Sequence, residues 1–174
     1  MATRLTNKAK ASSLLQIAIG LDEEQFNNYI DAAQKFDFKP LVCEDFYFDL
    51  LEKKEDPAWK KLIEGGTYTY NERLIEFSGF DAVISFFAYA RMIIEAPMVS
   101  TSHGVVTKLN PHSQPVPLED RRNTYYKKKE EANTLMKDVV LFIERNLDTY
   151  SSWKCSNSCS STGRSSGFKT TLLQ

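Results

Sequence analysis

The strongest constraint in this chain is one apolar stretch, Phe80 to Ile94, reading FDAVISFFAYARMII. Only Asp81, Ser85 and Arg91 interrupt it. Its apolar residues do not keep to one side of a helical wheel, and a helix apolar nearly all round is buried in a core or spans a membrane. This stretch is too short to span and is broken by charge. It therefore reads as the central helix of a helical domain.

The remaining elements arrange themselves around it. Asp22 with Gln25 three residues on makes a capping-box start, and Phe26, Tyr29, Ile30 and Ala33 follow at helical spacing to about Phe36. Pro40 suits the first turn of a second helix with Leu41, Val42, Phe46, Leu50 and Leu51 as its stripe. Asp56-Pro57 starts a third, which Gly65-Gly66 ends because glycine enters the left-handed region without steric cost. The period then changes. Thr67 to Tyr70 and Leu74 to Phe77, around Asn71-Glu72-Arg73, predict a small β-hairpin. Ser78-Gly79 opens the central helix, Asp81 falls in its first turn, where an anion suits the dipole, Arg91 and Glu95 stand four apart, and Pro97 closes it. Residues 98–118 hold no helical pattern but contain the β-prone run Val105-Val106-Thr107, as expected of an extended interaction arm. From Glu119 a long helical stripe runs to about Tyr150.

The fold class expected is therefore mainly α: a bundle of about five helices with a small β-hairpin and long extended arms. The boundaries are an N-terminal arm at 1–20, a helical domain at 21–150 carrying the extended loop 98–118, and a Ser-rich tail at 151–174. Charge follows these boundaries. No acid precedes Asp22 or follows Asp148; residues 1–21 and 151–174 carry +3 each, which leaves −7 in the middle against a net charge of −1. An acidic body with basic ends suits binding to copies of itself or to an acidic neighbour.

Residue chemistry points away from an enzyme. His103 and His112 lie in the long loop with no carboxylate or cysteine at ligand spacing, and Cys155-x-x-x-Cys159 lacks a second pair. Cys43 is the third cysteine, an odd count that offers no disulfide framework and suits a reducing compartment. There is no phosphate-cradling glycine loop and no nucleophile elbow. No catalytic, cofactor-binding or metal-ligating residue is assigned, and no cofactor is expected. Leu14 to Ile19 is too short for a secretion signal, and no stretch reaches bilayer length. A helix–turn–helix reading of residues 22–51 fails because Glu44, Asp45, Asp49 and Glu52 on the second helix would repel DNA.

The order of motifs is more informative than any one of them. Trp59-x-x-Leu62-Ile63-x-Gly65-Gly66-x-Tyr68 is followed by Phe77-x-Gly79-Phe80 and then by Phe86 to Arg91. Thr101-x-x-Gly104-Val105-Val106-x-Lys108 and Ser113-x-Pro115 come next, and a long helix ends near Tyr150 and Trp153. Over about residues 20 to 153 this succession resembles the head–tail connector (adaptor) proteins of tailed bacteriophages of Bacteroides-type hosts, including crAss-like phages. The resemblance implies a virion structural protein made in the host bacterial cytoplasm. It implies a ring with copies of itself, a dodecamer, at the head–tail junction. The ring would bind below the portal protein, dock tail or second adaptor proteins and extend the channel for packaged DNA without sequence-specific binding or membrane contact. The alternative is a helical DNA-binding or regulatory protein, for which the basic tail with Trp153 and Phe168 is the supporting feature.

Overall fold

A computed structural model describes residues 3–102, 104–107 and 116–154. The apolar stretch forms a helix at Phe80–Glu95, here α5, since four helices precede it: α1 Lys8–Leu14, α2 Glu23–Ala33, α3 Glu44–Glu52 and α4 Pro57–Glu64. Nine side chains of α5, from Phe80 to Ala90, are buried on all sides of the helix. A two-stranded antiparallel hairpin, β1 Gly65–Tyr70 and β2 Arg73–Ser78, precedes α5, and a second one, β3 Met98–Thr101 and β4 Gly104–Thr107, follows it. The last helix, α6 Leu118–Glu144, packs along α5. The fold is mainly α, as expected. The loop expected to be irregular holds β3 and β4 in its first half, while residues 108–115 lie outside the described residues.

Local signals act where the sequence places them. The Asp22 carboxylate accepts the Gln25 N–H at 2.9 Å, and Pro57 sits in the first turn of α4. Asn71 and Glu72 take positive φ of 50° and 62°, the primed turn whose twist matches a two-residue hairpin loop. That turn fixes the register Tyr70↔Arg73 through Gly65↔Ser78. Tyr68, Ile75 and Phe77 consequently face inwards, and Phe77 stacks on Phe142 of α6 at 4.2 Å between ring centroids.

One stretch differs from expectation. The helix expected to end near Phe36 passes at Gln34 into a π-helical turn to Phe38, then a 3-10 turn at Lys39–Leu41 that holds Pro40, so α3 begins only at Glu44. The apolar positions Leu41 and Val42 therefore serve the connection and not α3. The N-terminal arm is docked: Leu5, Thr6 and Ala11 are buried, and Asn7 caps α1 by accepting the Lys10 N–H. Cys43, at the N-cap of α3, is disulfide-bonded, although the odd cysteine count offered no disulfide framework.

The core is aromatic. Phe46 of α3 meets Trp59 of α4 at 5.3 Å, Phe80 of α5 at 6.3 Å and Trp153 at 4.8 Å. The chain after α6 folds back on this cluster, with the Tyr150 ring edge-on to Trp59. Burial pushes the Tyr150 phenol up to about 12, so it stays protonated and donates to the Ala58 carbonyl at 2.9 Å.

Candidate functional site

The expected absence of chemistry leaves surfaces as the candidates. His103, His112, Cys155 and Cys159 lie outside the described residues. Among the described residues no group of three or more His, Cys, Asp or Glu side chains is placed to hold a metal ion, and no helix is long and apolar enough to cross a membrane.

Asp81 begins α5 as expected, yet it is buried and does more than meet the helix dipole. Its carboxylate faces Lys10 of α1 at 3.6 Å, and burial pushes its carboxyl up while Lys10 opposes that shift. Arg91 does approach Glu95, at 3.8 Å, but its shorter contact is with Asp37 at 2.6 Å. The π-helical turn turns Asp37 inward, where its other oxygen lies 3.3 Å from Lys129 of α6. One carboxylate thus ties the turn, α5 and α6 together. Lys129 lies within the charged run Lys127 to Glu131. Nothing in the spacing of Asp37 marks it, because the alignment of its two partners exists only after α5 and α6 have packed. Asp37→Asn should lower stability by about 2–3 kcal/mol, since it removes the charge that Arg91 and Lys129 share and leaves Arg91 only its longer contact with Glu95. Urea unfolding measures this, and a midpoint unchanged from wild type would show that the hub contributes nothing.

Beside this hub an apolar furrow follows the α5–α6 seam. At one end Met92, Ile93, Ala96 and Pro97 with Val116 and Thr124 line a groove of about 370 Å³. At the other end Phe86 and Leu135 line a groove of about 480 Å³ together with Lys127, Glu130, Glu131 and Thr134. The lining positions Arg121, Thr124, Lys127, Glu130 and Thr134 follow one stripe of α6 at three- and four-residue spacing, so the two grooves lie along one face of that helix. The first half of α6, Leu118 to Glu131, has no buried side chain, and Tyr126 on it is 66% exposed.

The two hairpins leave opposite ends of α5, about 24 Å apart for a helix of its 16 residues. Each contains two strands, so each offers two strand edges not paired within its sheet. The first carries Leu74, 73% exposed, next to its turn, and Arg145 lies over the Tyr70 ring at 4.0 Å. The second carries Met98 and Val106, both exposed. The sequence indicated the first hairpin through its turn and alternation; it offered only half of the second, because Met98 to Thr101 becomes a strand by pairing with Gly104 to Thr107.

No curated protein and no solved structure matches this chain. The model of the Family of unknown function (DUF6712) matches residues 38–163. That match begins at Phe38, the last residue of the π-helical turn, and takes in both hairpins, the central helix and the whole of α6. It covers most of the chain, which therefore belongs to the Family of unknown function DUF6712.

Proposed function

We propose that this chain is a structural subunit of a tailed-phage virion, a head–tail connector without catalytic activity. Copies form a ring below the portal, extend the DNA channel and dock the tail. The observation that carries this reading is the placement of two different hairpins at opposite ends of one buried helix. A ring closed by head-to-tail contacts needs two unlike surfaces on each subunit. One end of α5 supplies the hairpin with Leu74, and the other supplies the second hairpin beside the apolar furrow. Strand edges and an apolar seam are surfaces that a neighbour can cover. The ordered motifs from Trp59 to Trp153 add the resemblance to connector proteins.

The reading predicts that the purified chain, alone or with its portal protein, forms closed rings visible by negative-stain electron microscopy, and that purified particles contain it. Chains that stay monomeric with and without portal, together with particles that lack the protein, would remove it.

A further inference from the structure

Four polar side chains are buried among the described residues: Thr6, Gln34, Asp81 and Ser85. All four serve one contact, that between the N-terminal segment and the body. The Gln34 side-chain amide reads the segment as a peptide. Its oxygen accepts the Leu5 N–H at 3.0 Å, and its nitrogen donates to the Thr3 carbonyl at 2.9 Å. Tyr47 holds that amide in place through its hydroxyl at 3.1 Å. Asp31 takes the Arg4 guanidinium with both oxygens at 2.6 Å. Ser85 gives its hydroxyl proton to the Asp81 carbonyl, so across their 3.0 Å contact Thr6 is the donor. Leu5 fills an apolar socket. Arginine, leucine and threonine are thus each recognised, by a carboxylate, a socket and a hydroxyl, along a backbone clamped at two points.

This seat is unlike the aromatic core. Because much of it is polar, water can satisfy its groups when the segment leaves, so release does not open a purely apolar wound. In the connection to α2, Ile19 is 98% exposed and Gly20 has open space where a Cβ would stand, and its polar ties, from the Lys8 ammonium to the Ile19 and Leu21 carbonyls, run within the same N-terminal segment. The segment carries no acid, and its Arg4 and Lys10 both pair with carboxylates of the body. Every one of these contacts is available equally from a second copy, which is the condition for exchanging an element between protomers.

We propose that residues 3–14 are an exchangeable strap. They dock on their own body in the isolated chain and on the same Asp31–Gln34–Ser85 seat of the neighbouring copy in an assembly. In a ring each copy gives its strap to the next, so the basic arm acts as a linker between subunits. The exchange rests on the reading that copies of this chain assemble, and it adds the contact by which they do so.

Charge reversal tests it in the full-length chain. In Arg4→Asp the strap meets Asp31 as a like charge, and in Asp31→Arg it meets an arginine. Mixing the two restores a pair at one seat with reversed polarity and at the other with wild-type polarity, but only when straps cross between copies. Both side chains are partly exposed, at 38% and 33%, and the double variant R4D/D31R, which restores the pair within one chain, checks that the reversed charges fold. Tagged Arg4→Asp should capture Asp31→Arg about tenfold more than either variant captures itself, the scale of one bidentate charged pair. Capture of the mixed pair no greater than self-capture overturns the exchange. A second variant, T6C/S85C, places two thiols where the hydroxyls are in contact. Oxidation should yield covalent chains of two or more copies in an assembled sample, whereas cross-links confined within single chains at every concentration overturn the exchange. Ring formation by the wild-type chain is measured alongside. Rings without complementation remove the strap exchange and leave the ring; complementation without rings removes the ring and leaves the exchange.

Discussion

Gly79→Ala should destabilise the protein by about 3 kcal/mol or more, the upper range for forcing an atom into a packed site. The cause is not backbone conformation, since Gly79 has φ −77° and ψ −178°, values open to any residue. It is space. A Cβ at Gly79 would lie 2.0 Å from the Ile63 carbonyl oxygen and 2.4 Å from the Gly65 nitrogen, and both are backbone atoms that cannot rotate away. Here the end of α4, the start of β1 and the cap of α5 cross in one place. Gly65 is confined twice, by its φ of +80° and by a Cβ position 2.6 Å from Gly79 N. Thermal unfolding measures the effect; at about 2–4 °C per kcal/mol for a chain of this size, a fall of roughly 6–12 °C is expected. Gly20→Ala is the control, because nothing lies within 4 Å of its Cβ position. Equal midpoints for the two variants would show that the crossing is not close-packed.

Phe46→Ala should cost about 3–5 kcal/mol, the range for removing a buried aromatic side chain. Phe46 is fully buried and touches rings from two other helices and from the segment after α6. Its loss opens a cavity between Trp59 and Trp153, so tryptophan emission should shift to the red before global unfolding as the Trp153 segment loosens. Phe48→Ala, two residues away on the same helix, removes a ring that is 53% exposed and should change stability by no more than about 0.5 kcal/mol. Similar losses for the two variants would contradict the burial pattern.

The pair Phe46 and Phe48 shows why part of the fold was readable and part was not. The segment Phe46-Tyr47-Phe48 is aromatic throughout, and helical spacing with Leu50 already favoured Phe46 as the inner residue. The same kind of local information gave the Asp22 cap, the Asp56-Pro57 start, the hairpin turn at Asn71-Glu72 and the central helix. Each depends on residues within one turn of each other. The π-helical turn, the first half of the second hairpin and the docked N-terminal strap were not visible in this way. Their partners lie far along the chain: Asp37 answers Arg91 and Lys129, and Thr6 answers Ser85.

For function, the sequence by itself determined that this is a helical protein with a basic, acid-free N-terminal segment joined to an acidic body. It also contains no phosphate-cradling glycine loop and no nucleophile elbow. These follow from composition and short-range periodicity, which need no packing to be read. Tertiary structure alone decided where that basic segment docks. Its charges find Asp31 and Asp81 only after α2 and α5 have been brought side by side, and its backbone finds the Gln34 amide only because that side chain is buried at the junction with the π-helical turn. An electrostatic tendency spread over the sequence becomes a specific seat because directional hydrogen bonds act within about 3 Å, a range that only the folded chain can set.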